Sequence, residues 1–241
     1  MNKQDTLQAL FGNTFEPKAQ TEDYFEGTAR VGEQTVIVIG TANQAEVGAD
    51  MALAMARVVL DAVTQGKAQP IVFLLDTQGQ RLRRRDELMG LNGYMAHLAK
   101  AVELARQHGH VIVSVVYGEA VSGGYISTGM MADACYALAQ AEIKVMNLPA
   151  MSRITKIPLE RLQTLSMQSP VFSPGVENYL RMGHLKAVWQ HEPARQLQEA
   201  LAELQALSPQ ERAQDQRIAQ GQARGGRTAA AQVLAKVLGH A

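Results

Sequence analysis

Residues 111–125 read VIVSVVYGEAVSGGY. The run at 111–117 is apolar except for Ser114, and Gly118 ends it. A short continuous apolar run closed by turn residues fits a strand covered on both faces, as in a sheet packed between helix layers. A serine and two glycines then stand where the strand gives way to a small-residue segment, GGYISTGMMAD (123–133), which reads as helical. Upstream, PIVFLLDTQG (70–79) has the same design. Residues 86–108 between them read as one long helix, with Gly109 as its stop. Residues 49–66 read as another, with apolar residues at three and four spacings, Asp50 in the first turn and Gly66 at the end. YFEGTARV (24–31) and QTVIVIG (34–40) read as a strand pair turning at Gly32-Glu33. ACYALAQ and EIKVMN add two short strands. Beyond Pro149 the pattern is helical near 158–166, 174–182, 193–207 and 209–220, and an amphipathic segment closes the chain. Strands alternating with helices argue for βαβ crossovers and an α/β fold. Residues 1–20 read as a weakly ordered or helical N-terminal extension, and 21–241 as a single domain with a helical C-terminal part.

Composition narrows the function classes. The chain has 241 residues, 46% hydrophobic, enough for one well-buried domain. Its 23 basic and 23 acidic residues balance, which argues against a nucleic-acid partner. The single cysteine, Cys135, excludes an internal disulfide and any CxxC site. No apolar run approaches a membrane span, and the first residues lack the apolar core of a secretory signal. A cytoplasmic α/β protein is expected. None of the six histidines has metal-ligand spacing, so no metal is expected. Neither Gly-x-Gly-x-x-Gly nor a phosphate-binding Gly-Lys-[Ser/Thr] loop is present.

Two places can carry chemistry. In GEAVSGGY (118–125) two consecutive glycines open a helix, although each costs ~1 kcal/mol of propensity against alanine. One reading is steric, a close approach of backbone to another segment. The other is functional: the first N–H groups of a helix lack internal partners and sit in partial positive charge, so Gly123 and Gly124 could hold an oxygen that gains negative charge in a transition state. A competing reading makes Ser122 a nucleophile, because Ala120-x-Ser122-x-Gly124 is one substitution from the Gly-x-Ser-x-Gly elbow. It would need a base such as His184 or His191, with Glu177 or Glu192 as the acid. Ser122 as a helix cap is the structural alternative. The second place is DTQGQRLRRRDE (76–87). Asp76 closes a strand at the end where open α/β sheets bind ligands, Gln78 and Gly79 follow, and Arg81, Arg83, Arg84 and Arg85 crowd one loop. The arginines read either as an anion or carrier site or as a solvated loop.

FLLDTQGQ, then a long helix, then VIVSVVYGEAVSGGYISTGMMADACYAL resembles the carboxyltransferase branch of the crotonase-like superfamily. With NLPAMSRITKIPLERL and SPVFSPGVENYLRMGHLKAVW, residues 20 to 220 resemble the malonate decarboxylase gamma subunit family. One departure is Gln78, where carboxyltransferases carry proline. The resemblance implies a crotonase-like spiral of ββα units and a heterodimer with a beta subunit. It implies decarboxylation of a malonyl thioester on an acyl carrier protein, giving an acetyl thioester and carbon dioxide. The cofactor would be a phosphopantetheine-type group on the carrier, with none bound by this chain, and a carrier transferase subunit would be a further partner. Gly123 and Gly124 would supply an oxyanion hole, with Glu119 and Tyr125 as neighbouring candidates for proton transfer. The alternatives are a biotin-dependent carboxyltransferase subunit, a serine hydrolase using Ser122, and a purely structural partner of a catalytic subunit.

Overall fold

The two apolar runs that decide the fold both form strands, and both continue further than their pattern indicates. The computed structural model describes residues 1–168, 174–226 and 230–239. Its strands are β1 (Glu16–Gln20), β2 (Tyr24–Val31), β3 (Gln34–Thr41), β4 (Ala45–Val47), β5 (Ile71–Gln80), β6 (Ile112–Val121), β7 (Ala134–Leu138), β8 (Glu142–Lys144) and β9 (Ala187–Trp189). The helices run from α1 (Lys3–Phe11), α2 (Ala49–Thr64), α3 (Arg84–Leu88), α4 (Leu91–Gln107) and α5 (Ser122–Ile126) to α6 (Leu148–Thr155), α7 (Leu159–Gln168) and α8 (Val176–Arg181). The C-terminal arm holds α9 (Pro193–Ala206), α10 (Pro209–Ala213), α11 (Arg217–Ala223) and α12 (Ala230–Val237).

The strands form one sheet in the order β1-β2-β3-β5-β6-β7-β9. The first two pairings are antiparallel and the rest parallel. β5 and β6 are each shared between two partners. The first half of β5 pairs with β3 over Ile71–Leu74, and its second half with β4 from Thr77 to Gln80. β6 pairs with β7 over Val113–Val116, then with β8 over Glu119–Val121. Strand alternation sends Ile71, Phe73, Leu75, Ile112 and Val116 into the core with residues of α2 and α4. Val72, Leu74, Val113, Val115 and Tyr117 go to the opposite core, with residues of α1 and α9. Each fully buried aliphatic or aromatic side chain is worth about 1.5–3 kcal/mol.

Several expectations change. Residues 1–20 are not an extension apart from the domain: α1 buries Leu10 and Phe11, and β1 pairs with β2. The helix expected over 86–108 is two, because Gly90 at φ 75° cannot continue α3 into α4. The helix expected over 123–133 stops at Ile126. There Ser127 Oγ and Thr128 Oγ1 donate to the carbonyls of Gly123 and Gly124, at 2.9 and 2.7 Å. Such local bonds compete with helix continuation. β4, α6 and β9 had no counterpart in the pattern; two are three-residue strands, and α6 announces itself only by the Asn147 cap and Pro149. Residues 227–229, 240 and 241 of the expected amphipathic tail, with His240, lie outside the described residues, as do 169–173.

Candidate active site

The C-terminal ends of β5 and β6 lie side by side and turn sharply together. Gly79 has φ 98° and Ser122 φ 46°. A non-glycine residue in the left-handed region costs about 1–3 kcal/mol, so the Ser122 turn is held by its surroundings. The closeness of the two turns explains the glycines. A Cβ on Gly79 would lie 2.9 Å from the Val121 carbonyl oxygen. One on Gly124 would lie 2.8 Å from Thr77 Oγ1 and 3.1 Å from Gly79 Cα. One on Gly123 would lie 2.8 Å from Gln80 Oε1, and one on Gly118 only 2.3 Å from Asp76 Oδ1. The steric reading of the glycine pair is therefore met.

Side chains from β5 lock this edge. Asp76 Oδ1 accepts the Glu119 N–H at 2.9 Å and Oδ2 the Gln44 N–H at 3.1 Å. Thr77 Oγ1 accepts from Gly79 N–H and donates to the Ala45 carbonyl at 2.6 Å. Asp76 thus ties β6 to the β3–β4 turn, where Asn43 and Gln44 both have φ 55°. Glu119 holds Lys144 at 3.4 Å and accepts from Gln44 Nε2 at 3.3 Å. Gln78 Nε2 donates to Gln44 Oε1 at 2.9 Å. The Gly123 N–H donates to Gln80 Oε1 at 3.0 Å. An amide oxygen therefore already sits on the first of the two glycine N–H groups.

The sequence candidates divide accordingly. Asp76, Gln78, Gly79, Glu119, Ser122, Gly123 and Gly124 come together at these two strand ends. Tyr125 does not join them. It is 2% exposed, lies edge-on to Tyr179 and places its hydroxyl 3.6 Å from Cys135 Sγ. Burial pushes its phenol pKa well up. Ser122 is not the cap of α5: that position falls on Val121, which makes no side-chain cap bond. Among the described residues no histidine is hydrogen-bonded to Ser122, and the His184 ring lies edge-on to Tyr179 at 5.2 Å. The hydrolase reading therefore lacks its base among the described residues. Arg81 is a structural clamp. Its Nε and Nη2 donate to the two oxygens of Asp86, at 2.9 and 2.8 Å, and Nη2 also meets Asp50 at 2.7 Å. Asp86 accepts the Ala49 N–H as well, and the Arg81 hydrogen bonds hold its carboxyl down at about 2. Arg83 reaches Glu46 at 3.6 Å, and Arg83, Arg84 and Arg85 are exposed beside the exposed Leu82 and Leu88. Among the described residues, no group of three or more His, Cys, Asp or Glu is placed to hold a metal, and no helix is long and apolar enough to cross a membrane.

Residues 42–241 match the family described as malonate decarboxylase gamma subunit. The chain belongs to that family. A malonyl-S-ACP:biotin-protein carboxyltransferase of Malonomonas rubra is 32% identical to it over 177 residues, 65% of this chain. The match spans 61% of that relative's length. A chain of the Pseudomonas malonate decarboxylase hetero-tetramer, crystallised with coenzyme A, superposes with TM-score 0.80 at 21% identity, covering 98% of both chains. Transcarboxylase 12S superposes with TM-score 0.71 at 18% identity, covering 84% of this chain and 41% of its own. These two likenesses establish the fold as the crotonase-like carboxyltransferase type expected from the sequence.

Four residues at these strand ends escaped the sequence reading: Gln44, Thr77, Gln80 and Lys144. Thr77 had a signal, since a hydroxyl between Asp76 and Gly79 can serve a turn. Gln80 and Lys144 had none, because their roles depend on which strand ends meet.

Proposed function

We propose that this chain is one half of a malonyl-thioester decarboxylase, completed by a beta-type subunit and fed by an acyl carrier protein bearing a phosphopantetheine-type arm. The observation that carries the proposal is the pair Gly123-Gly124 in the first turn of α5, one residue beyond β6, in a chain of the gamma-subunit family. In the reaction the C–C bond to the carboxylate breaks and carbon dioxide leaves. The electron pair passes onto the thioester oxygen as an enolate, and a proton at the α-carbon gives the acetyl thioester. Fixed N–H donors lower the energy of that oxygen, or hold the departing carboxylate, without a nucleophile. Both glycines stand in the first turn of α5, where an N–H has no acceptor four residues back. Gln80 Oε1 marks where an oxygen fits on Gly123, and it must yield that N–H to the substrate. Glu119, paired with Lys144, is the charged group nearest in sequence for proton traffic. The exposed Arg83, Arg84 and Arg85 fit the anionic surface or arm of the carrier. A carrier transferase subunit and a cytoplasmic setting complete this reading.

Gly124→Pro deletes one N–H. In enzyme assembled with the beta-type subunit it should lower carbon dioxide release from a malonyl thioester about 100-fold or more. Unaltered turnover in the assembled variant would overturn the oxyanion role and leave the chain a structural partner. The Malonomonas rubra relative favours a second reading, transfer of the carboxyl group to biotin. Release that requires an added biotinyl carrier selects that reading; release without one selects direct decarboxylation.

A further inference from the structure

A cavity of about 250 Å³ lies at the other end of the parallel strands. It is bordered by Ala134, the first residue of β7, and by the arm from α9 to α11. At the ~30 Å³ that water takes in the liquid, the space is about eight waters, enough for a small organic anion and too small for a nucleotide.

Its cations are paired with carboxylates, with one exception. Arg106 spends its guanidinium on Asp133, Glu103 and the Arg212 carbonyl. Arg217 is held by both oxygens of Asp215 and by the Met130 carbonyl. Lys186 pairs with Glu203. The acids are committed too: Asp133 also accepts the Ile112 N–H, and Glu211 bonds the Ser208 hydroxyl and N–H. Arg212 differs. Its Nη1 reaches the His110 carbonyl only at 3.5 Å, and its buried Nε has no partner among the described residues. A guanidinium fork matches a carboxylate in shape and charge. Met130, Ala132 and Leu207 supply an apolar wall beside it.

We infer that this cavity binds a small aliphatic monocarboxylate, its oxygens on Arg212 and its carbon chain on that wall. Arg212 offers the guanidinium that no carboxylate among the described residues already holds; a dianion would bring a second negative charge into a cavity that also holds the Glu211 carboxylate.

The test titrates the full chain with acetate, butyrate and inorganic phosphate at constant ionic strength, by calorimetry and by amide NMR shifts at Ala132 and Ala134. Saturable butyrate binding is expected, about tenfold tighter than acetate for two added methylenes, with phosphate much weaker. Arg212→Gln should weaken butyrate at least tenfold. Ala213→Phe adds a ring to the exposed residue at the rim without touching a charge, and it should also abolish binding, so the inference stays testable if the arginine variant misfolds. No saturation in the wild type overturns the inference. So does equal affinity in the variants, or phosphate binding as tightly as butyrate.

Discussion

The two halves of β5 and β6 obey different rules. Ile71–Leu75 and Ile112–Val116 are buried, apolar apart from Ser114, and alternate between two helix-covered cores. Asp76–Gln80 and Gly118–Ala120 are polar or small, and these second halves pair with the short strands β4 and β8. The first halves are held by area removed from water. The second halves are held by shape and by side chains that bond backbone, with Asp76 and Thr77 foremost. Burial therefore sets the sheet, while the open edge depends on a few contacts with little tolerance for an added atom. Phe73→Ala attacks the first rule and should cost about 3–5 kcal/mol in urea unfolding. If burial and edge are separable, any variant that still folds should keep the KM of the assembled enzyme. A changed KM would join the two halves that are here distinguished.

Gly118→Ala attacks the second rule. Its Cβ would lie 2.3 Å from Asp76 Oδ1, so the carboxylate that ties β6 to Gln44 must move. Overpacking of this kind costs about 1–3 kcal/mol. The sharper readout is turnover, which should fall more than in a stability-matched core variant. Turnover that tracks stability alone would show that the Asp76 bracket does not position the edge.

The same division explains what the sequence could show. The first halves of β5 and β6 were legible because a continuous apolar run has few alternatives, and α2 because its spacing is regular. The glycine pair was legible as an anomaly, and its steric cause became clear only once Thr77 and Gly79 were seen against it. The roles of Gln44, Gln80 and Lys144 were not legible, since each joins residues far apart in the chain: Gln44 to Asp76 and Glu119, Gln80 to Gly123, Lys144 to Glu119. Tyr125 misled for the reverse reason. It adjoins the glycines in sequence, but the turn of α5 directs its ring into the core.

Arg81 and Arg84 stand three residues apart and give the smallest expected effect its contrast. In sequence they look alike; in the structure Arg81 clamps Asp86, while Arg84 is exposed. The Arg81 bonds lower the Asp86 carboxyl from 3.8 to about 2, so the folded protein binds that proton less readily than the unfolded chain. The stabilisation is complete above the unfolded value and is lost as pH falls from 3.8 through about 2. Denaturant midpoints should therefore fall more steeply over that window in the wild type than in Asp86→Asn. Arg84→Ala should leave both the midpoint and its pH profile within about 0.5 kcal/mol of wild type, as surface substitutions do. If Arg84 also meets the carrier, the same variant should raise the KM for carrier-borne substrate and leave that for malonyl-coenzyme A unchanged. An equal rise for both substrates would assign Arg84 to the substrate arm, and no rise for either would return it to the solvated loop.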